Sequence, residues 1–214
     1  MRTFVGKYDF TMKIMVIGAS GTIGGSVVRQ LQDKGYEVIS VSTQNSPVTA
    51  NLENKQSLEK LFEAHKDIDG VICAAGKAYA GPLATMGEEE FYKGIQSKLM
   101  GQVNLAMIAK EHLKDNGFII LTSGNLAEEA KAGSASLGLV NGAINGFVVN
   151  AALEMPRGIR LNVVSPSILA ESTAKYGQSP GRQPVPAQTV ADAYLKIVSD
   201  AFNGQVVKVY GEKL

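Results

Sequence analysis

Short runs of consecutive apolar residues alternate along this chain with longer stretches whose apolar positions recur every three or four residues. Met12 to Ile17 is the first such run. The glycine-rich Gly18 to Gly25 closes it, and Val27, Val28 and Leu31 follow at helical spacing. Gly35 ends that helix and Val38 to Val41 makes a second strand, with a short extended piece at Val48 to Leu52 and a helix carrying Leu58, Leu61 and Phe62. The alternation continues with a strand at Gly70 to Ala75, a long helix from Glu88 to Leu113 and a strand at Gly117 to Ser123. A helix from Ser134 to Met155, a strand at Ile159 to Ser165, a helix from Thr189 to Phe202 and a strand at Val206 to Tyr210 complete it.

Strands that alternate with helices of this length need crossover connections, which gives a mostly parallel sheet covered by helices on both faces. The expected class is therefore α/β, a single-domain Rossmann fold with a doubly wound sheet of about seven strands. At 214 residues there is room for one core and no separate substrate domain. Residues 1–11 precede the first strand and read as an N-terminal extension, so the domain is expected to span 12–214. The stretch from Lys175 to Gln188, rich in proline and glycine, is long for a connection and reads as a lid-like loop.

Composition narrows the picture by exclusion. With 45% hydrophobic and 19% charged residues the chain has the make-up of an ordinary soluble globule. A formal net charge of +1 creates no field for nucleic acid or an anionic membrane, and no apolar run approaches the roughly 20 residues that span a bilayer. The single cysteine, Cys73, cannot form an internal disulfide, so a reduced, cytoplasmic setting is expected. His65 and His112 lie on separate helices without companions at ligand spacing, and no metal site is expected.

The chemistry is concentrated at the first turn. Gly18, Ala19, Ser20, Gly21, Thr22, Ile23 and Gly24 follow directly on a strand and open a helix. In that position glycines allow a sharp turn and a close backbone approach to a pyrophosphate, whose charge the free N–H groups of Ser20 to Ile23 would face. A dinucleotide is thus the expected ligand. Its type is read at the end of the second strand, where a carboxylate would bond the ribose of NAD(H) and repel the extra phosphate of NADP(H). Ser42, Thr43 and Gln44 stand there instead, so NADP(H) is favoured over NAD(H).

From Met12 onward the chain resembles the short-chain dehydrogenase/reductase family. The glycine loop, Ala74-Ala75-Gly76, the strand Ile120 to Ser123 and the segment Gly158 to Pro166 carry the likeness. The resemblance implies an NAD(P)(H)-dependent oxidoreductase acting on a small carbonyl or alcohol. It assigns Gly18, Ser20, Gly21, Thr22, Ile23, Gly24, Ser42, Thr43, Ala74, Ala75 and Gly76 to the cofactor and Ser123 to the substrate oxygen. The family's proton chemistry belongs to a Tyr and a Lys four residues apart on the next helix, where they share a face. Here Leu137 and Asn141 occupy those positions, and no tyrosine or lysine occurs between Ala132 and Ala174.

The proton relay is therefore expected to be atypical or impaired. Asn141 could still bond the ribose, and Lys98, which falls where the family carries an active-site asparagine, could act as an acid if desolvated. The catalytic candidates are Ser123, Lys98 and Asn141. Tyr79, Tyr176 and Arg182 lie in loops that could reach the cleft or a phosphate. Gly138, Gly142 and Gly146 form a stripe on one helix that suits either packing on the sheet or a subunit interface, which the resemblance implies for a homo-oligomer. The alternative function is a non-catalytic dinucleotide-binding sensor or regulatory protein that has kept the loop and lost the acid/base pair.

Overall fold

The computed structural model describes residues 11–176 and 181–213. Apart from Thr11, the expected extension at 1–11 lies outside them, as does the centre of the expected lid.

Seven parallel strands form one sheet: β1 Lys13–Ile17, β2 Glu37–Ser42, β3 Val48–Thr49, β4 Ile68–Cys73, β5 Leu113–Thr122, β6 Arg160–Pro166 and β7 Val206–Val209. Their order is β3-β2-β1-β4-β5-β6-β7, so the sheet reverses direction of winding between β1 and β4. This is the doubly wound Rossmann arrangement, in which ligands bind beyond the carboxyl ends of the strands at the reversal. The glycine loop leaves β1 at that point.

Burial explains why β1 is apolar throughout. Met15 and Ile17 join a core cluster with Leu58, Leu61 and Phe62 of α2 (Lys55–Ala64), Leu105 of α4 (Gly101–His112), and Ile144 and Val148 of α5 (Ala135–Ala151). Ile14 and Val16 point to the other face, against Val27 and Leu31 of α1 (Thr22–Asp33) and Val190 and Tyr194 of α7 (Ala187–Ser199). Side chains alternate along a strand, so one covered on both faces has no solvent side to leave polar. Among the described residues no helix is long and apolar enough to cross a membrane.

The long helix expected from Glu88 to Leu113 is not continuous. It comprises α3 (Glu88–Gly94), a π-helical turn over Ile95–Met100 and then α4. A π turn carries an extra residue and rotates the helix beyond it, and such insertions gather at functional sites. Here it lies beside the ends of β4 and β5. A short α6 (Thr173–Tyr176) comes after β6, and residues 181–186 are anchored by the Val185 amide to the Ile168 carbonyl at 2.9 Å and the Gln183 amide to the Glu212 carbonyl at 2.9 Å.

Candidate active site

The turn after β1 is built by backbone constraint. Gly18 adopts φ +87°, a conformation that disfavours side chains, and a Cβ there would also meet the Ala74 carbonyl oxygen at 2.7 Å. A Cβ on Gly24 would lie 2.0 Å from the Gly18 carbonyl oxygen, so α1 can press against the turn only because that position is bare. Gly21 is the N-cap of α1, with no side-chain cap and no acidic residue in the first turn. The first-turn amides therefore have no acceptor within the helix.

The structure amends one detail of the expected anion cradle. The Ser20 N–H is taken by the Ser42 hydroxyl at 2.9 Å and the Gly21 N–H by the Gly18 carbonyl at 2.9 Å. That leaves the amides of Thr22 and Ile23, in the first turn of α1, to face an anion. Ser42 thus ties the end of β2 to the loop, and its hydroxyl hydrogen remains available as a donor.

A cleft of about 460 Å³ opens at this point. Gly18, Ser20, Gly21, Ser42, Thr43, Ala74, Ala75 and Gly76, all among the expected cofactor residues, line it. Its wall also contains residues that sequence reasoning missed, notably Asn51, Leu52 and Glu53 after β3, and Lys77 and Ser97. Thr22, Ile23 and Gly24 form the first turn of α1 and are not among the residues lining the cleft. The bare glycine cradle, the open helix start and the size of the cleft fit a dinucleotide.

Beyond Ser97 lies a second cluster. The Ser97 hydroxyl, buried in the π turn, accepts the Lys77 amide at 3.0 Å. Gly76, at φ +129°, passes so close to Lys98 that a Cβ there would lie 2.9 Å from the Lys98 Cα. Lys98 points to β5, where its Nζ donates to the Ser123 carbonyl at 3.0 Å. Desolvation brings this ammonium down to a pKa of about 8, against an opposing effect of the Cys73 thiol. Burial pushes Cys73 itself up to about 12, so it is an inert thiol that donates to the Ala75 carbonyl at 3.8 Å.

Ser123 is 3% exposed. Its N–H goes to the Val164 carbonyl at 2.9 Å and its carbonyl to Lys98, while its buried hydroxyl oxygen has no partner among the described residues. Asn141, 2% exposed on α5, also holds an amide oxygen with no partner among the described residues. Its Nδ2 lies 2.9 Å from where a Cβ of Gly124 would be, so Gly124 must be bare for the amide to fit. The three expected catalytic residues thus converge on the backbone of residues 123 and 124. Leu137 is half-buried one turn before Asn141.

The other candidates lie elsewhere. Arg182 is engaged within the chain: it forms an ion pair with Glu129, donates to the Gly211 carbonyl at 2.8 Å and stacks 5.1 Å from the Tyr210 ring. Tyr79 sits under Lys93, 5.7 Å from the ring centre. His65 bonds the Leu61 carbonyl at 2.8 Å and His112 stacks on Phe62 at 5.6 Å. The side chain of Tyr176 lies outside the described residues.

Comparison with known proteins agrees with this fold. A family model described as Enoyl-(Acyl carrier protein) reductase matches residues 43–209. The crystal structure of the protein lin1944 from Listeria innocua superposes with a TM-score of 0.90 at 40% identity, covering 94% of this chain and 100% of that one. A small-chain dehydrogenase in complex with NADPH superposes with a TM-score of 0.82 at 25% identity, covering 93% and 96%. A 3-oxoacyl-(acyl-carrier-protein) reductase of Rickettsia felis is 27% identical over 237 residues, covering 96% of this chain and 98% of its own. With its glycine turn, its strand order and a family match over most of its length, the chain belongs to the short-chain dehydrogenase/reductase family of NAD(P)(H)-dependent oxidoreductases.

Proposed function

We propose that the protein is an NADP(H)-dependent oxidoreductase for a small carbonyl or alcohol, with Ser123 and Lys98 in place of the family's tyrosine and lysine. The observation that carries this is the pair itself. A buried serine hydroxyl with no partner among the described residues belongs to the residue whose carbonyl a desolvated ammonium holds. One Lys98 hydrogen is committed to that carbonyl, and the other two remain for a ligand.

When bound, the nicotinamide supplies a hydride to a carbonyl carbon. The Ser123 hydroxyl then donates to the carbonyl oxygen as negative charge develops there, and the Lys98 ammonium delivers the proton that completes the alcohol. In the reverse direction the Lys98 amine takes that proton. The Asn141 amide oxygen would accept from a ribose hydroxyl, and the amides of Thr22 and Ile23 would hold the pyrophosphate. Ser20, Ser42 and Thr43 offer hydroxyls to a 2′-phosphate at the end of a strand that carries no carboxylate, which supports NADP(H). A reducing compartment such as the cytoplasm suits a buried free thiol.

Ser123→Ala tests the assignment. It is expected to lower kcat for reduction of small ketones and aldehydes by about a hundred- to a thousandfold, the usual loss when one oxyanion donor is removed. NADPH affinity, titrated by cofactor fluorescence, should not change. An unaltered kcat would remove Ser123 from the reaction.

The glycine stripe supports self-association. A Cβ on Gly138 would meet the Leu126 carbonyl at 2.9 Å, so that glycine serves packing. Gly142 and Gly146 face open space beside exposed Leu139 and Val149, and Leu153 is 85% exposed. Leu153→Glu is expected to shift the solution mass, measured by light scattering, toward the monomer. A wild-type protein that is already monomeric would contradict this surface.

A further inference from the structure

Gln102 is fully buried at the start of α4, four residues beyond Lys98, and the proposed hydride and proton transfers do not use it. Its Nε2 donates to the Thr122 carbonyl at 2.9 Å, and its Oε1 accepts the Thr122 N–H at 2.8 Å. The topology explains the need. β4 pairs with β5 only as far as Ile72 and Ile120, whereas β6 pairs with β5 through Thr122 and Val164. At Thr122 the edge toward β4 is open, and the Gln102 amide takes the place of the missing strand. Without it a buried N–H and a buried carbonyl would be left unpaired.

The rest of Thr122 is held as firmly. Its hydroxyl bonds the Cys73 carbonyl and the Tyr194 hydroxyl, each at 2.5 Å. The next residue is Ser123, whose N–H is fixed by Val164 and whose carbonyl is fixed by Lys98. Lys98, within the π turn, and Gln102, at the start of α4, therefore grip two successive residues of one strand end from the same helical run. Of these groups the Ser123 hydroxyl alone has no partner among the described residues.

We propose that Gln102 is a positioning residue: by holding Thr122 it sets where the Ser123 hydroxyl stands, and keeps the Ser123 carbonyl within reach of Lys98. This rests on the catalytic assignment of Ser123 and Lys98. A displacement of about 1 Å at a reacting group can cost a hundredfold in rate. The loss of the Ser123 carbonyl as acceptor would also disfavour the ammonium form of Lys98 and lower its pKa. The titratable group that acts on Lys98 among the described residues is Cys73 of β4, which stays a neutral thiol below its own high pKa. It does not blur that shift.

Gln102→Met keeps the length of the side chain and removes both bonds. In this variant kcat for small carbonyls is expected to fall about a hundredfold with NADPH affinity unchanged. The pH at which the rate declines should move below that of the wild type. A smaller fraction of folded protein would lower the amplitude without moving that pH. Should Gln102→Met not fold, Gln102→Asn, whose amide is one methylene short, is read in the same way. Lys98→Met is measured alongside. If it retains full activity, the assignment of Lys98 fails. If it loses activity while a folded Gln102 variant keeps the wild-type kcat and pH profile, the role of Gln102 alone is overturned.

Discussion

Gly21→Asp is expected to abolish NADP(H) binding while leaving the protein folded. Gly21 is the N-cap of α1 at φ −81° and ψ 169°, extended backbone that any residue adopts, and aspartate is among the preferred N-cap residues. Its Cβ would stand 3.2 Å from the Gly18 carbonyl oxygen, a contact relieved by a few tenths of an ångström. The carboxylate would then occupy the mouth of the turn, where a pyrophosphate has to meet the amides of α1. Two like charges about 4 Å apart repel by on the order of 4 kcal/mol at an effective dielectric of 20, or roughly a thousandfold in Kd. Fluorescence titration with NADPH measures this, and a circular dichroism melt checks the fold. Unaltered affinity would remove the glycine turn from the cofactor site. Comparing NADPH with NADH in the wild type tests the preference for the 2′-phosphate.

The second large effect is expected at Lys98. Lys98→Met removes the proton donor and should reduce carbonyl turnover by about 100- to 10,000-fold, the range for loss of a general acid. Cofactor affinity should change far less, because the glycine turn and the end of β2 are untouched. Leu137→Tyr with Asn141→Lys would place the family's pair on α5, but these two changes alone are not expected to restore activity. Lys98 and Asn141 both approach residues 123 and 124, so a lysine at 141 would bring a second ammonium toward the first. Lys98→Asn must accompany the other two changes for a gain of activity. That gain would show that one amine is required and that either helix can supply it.

The fold was legible because its signals are local. A strand covered on both faces must be apolar throughout, as β1 is, and a glycine turn between strand and helix leaves few alternatives to a Rossmann crossover. The π turn was not legible, since one inserted residue leaves the apolar spacing of Glu88 to Leu113 nearly intact. Gln102 had a signal that went unused. It shares the inner face of α4 with Leu105, Ala106 and Ala109, all fully buried, and a polar residue on such a face must have buried partners. Arg182 had no local signal at all, because its partner Glu129 lies 53 residues away on another loop. In the site, residue types gave the candidates. Only the approach of Lys98 to the Ser123 carbonyl joined them, and that contact spans 25 residues.

The pH dependence of kcat for NADPH-dependent reduction of small ketones and aldehydes, in the wild type and in Lys98→Met, tests the central claim most directly. The lowered pKa of Lys98, about 8, fixes the sign. Below it the ammonium is present and can donate, so reduction should be fast at neutral pH and decline as pH rises through about 8. Oxidation of the matching alcohol needs the amine and should rise through the same interval. In Lys98→Met both limbs should vanish along with most of the rate. A decline near pH 8 that persists in Lys98→Met, or reduction by the wild type that continues undiminished to pH 10, would contradict a relay built on Lys98 and Ser123.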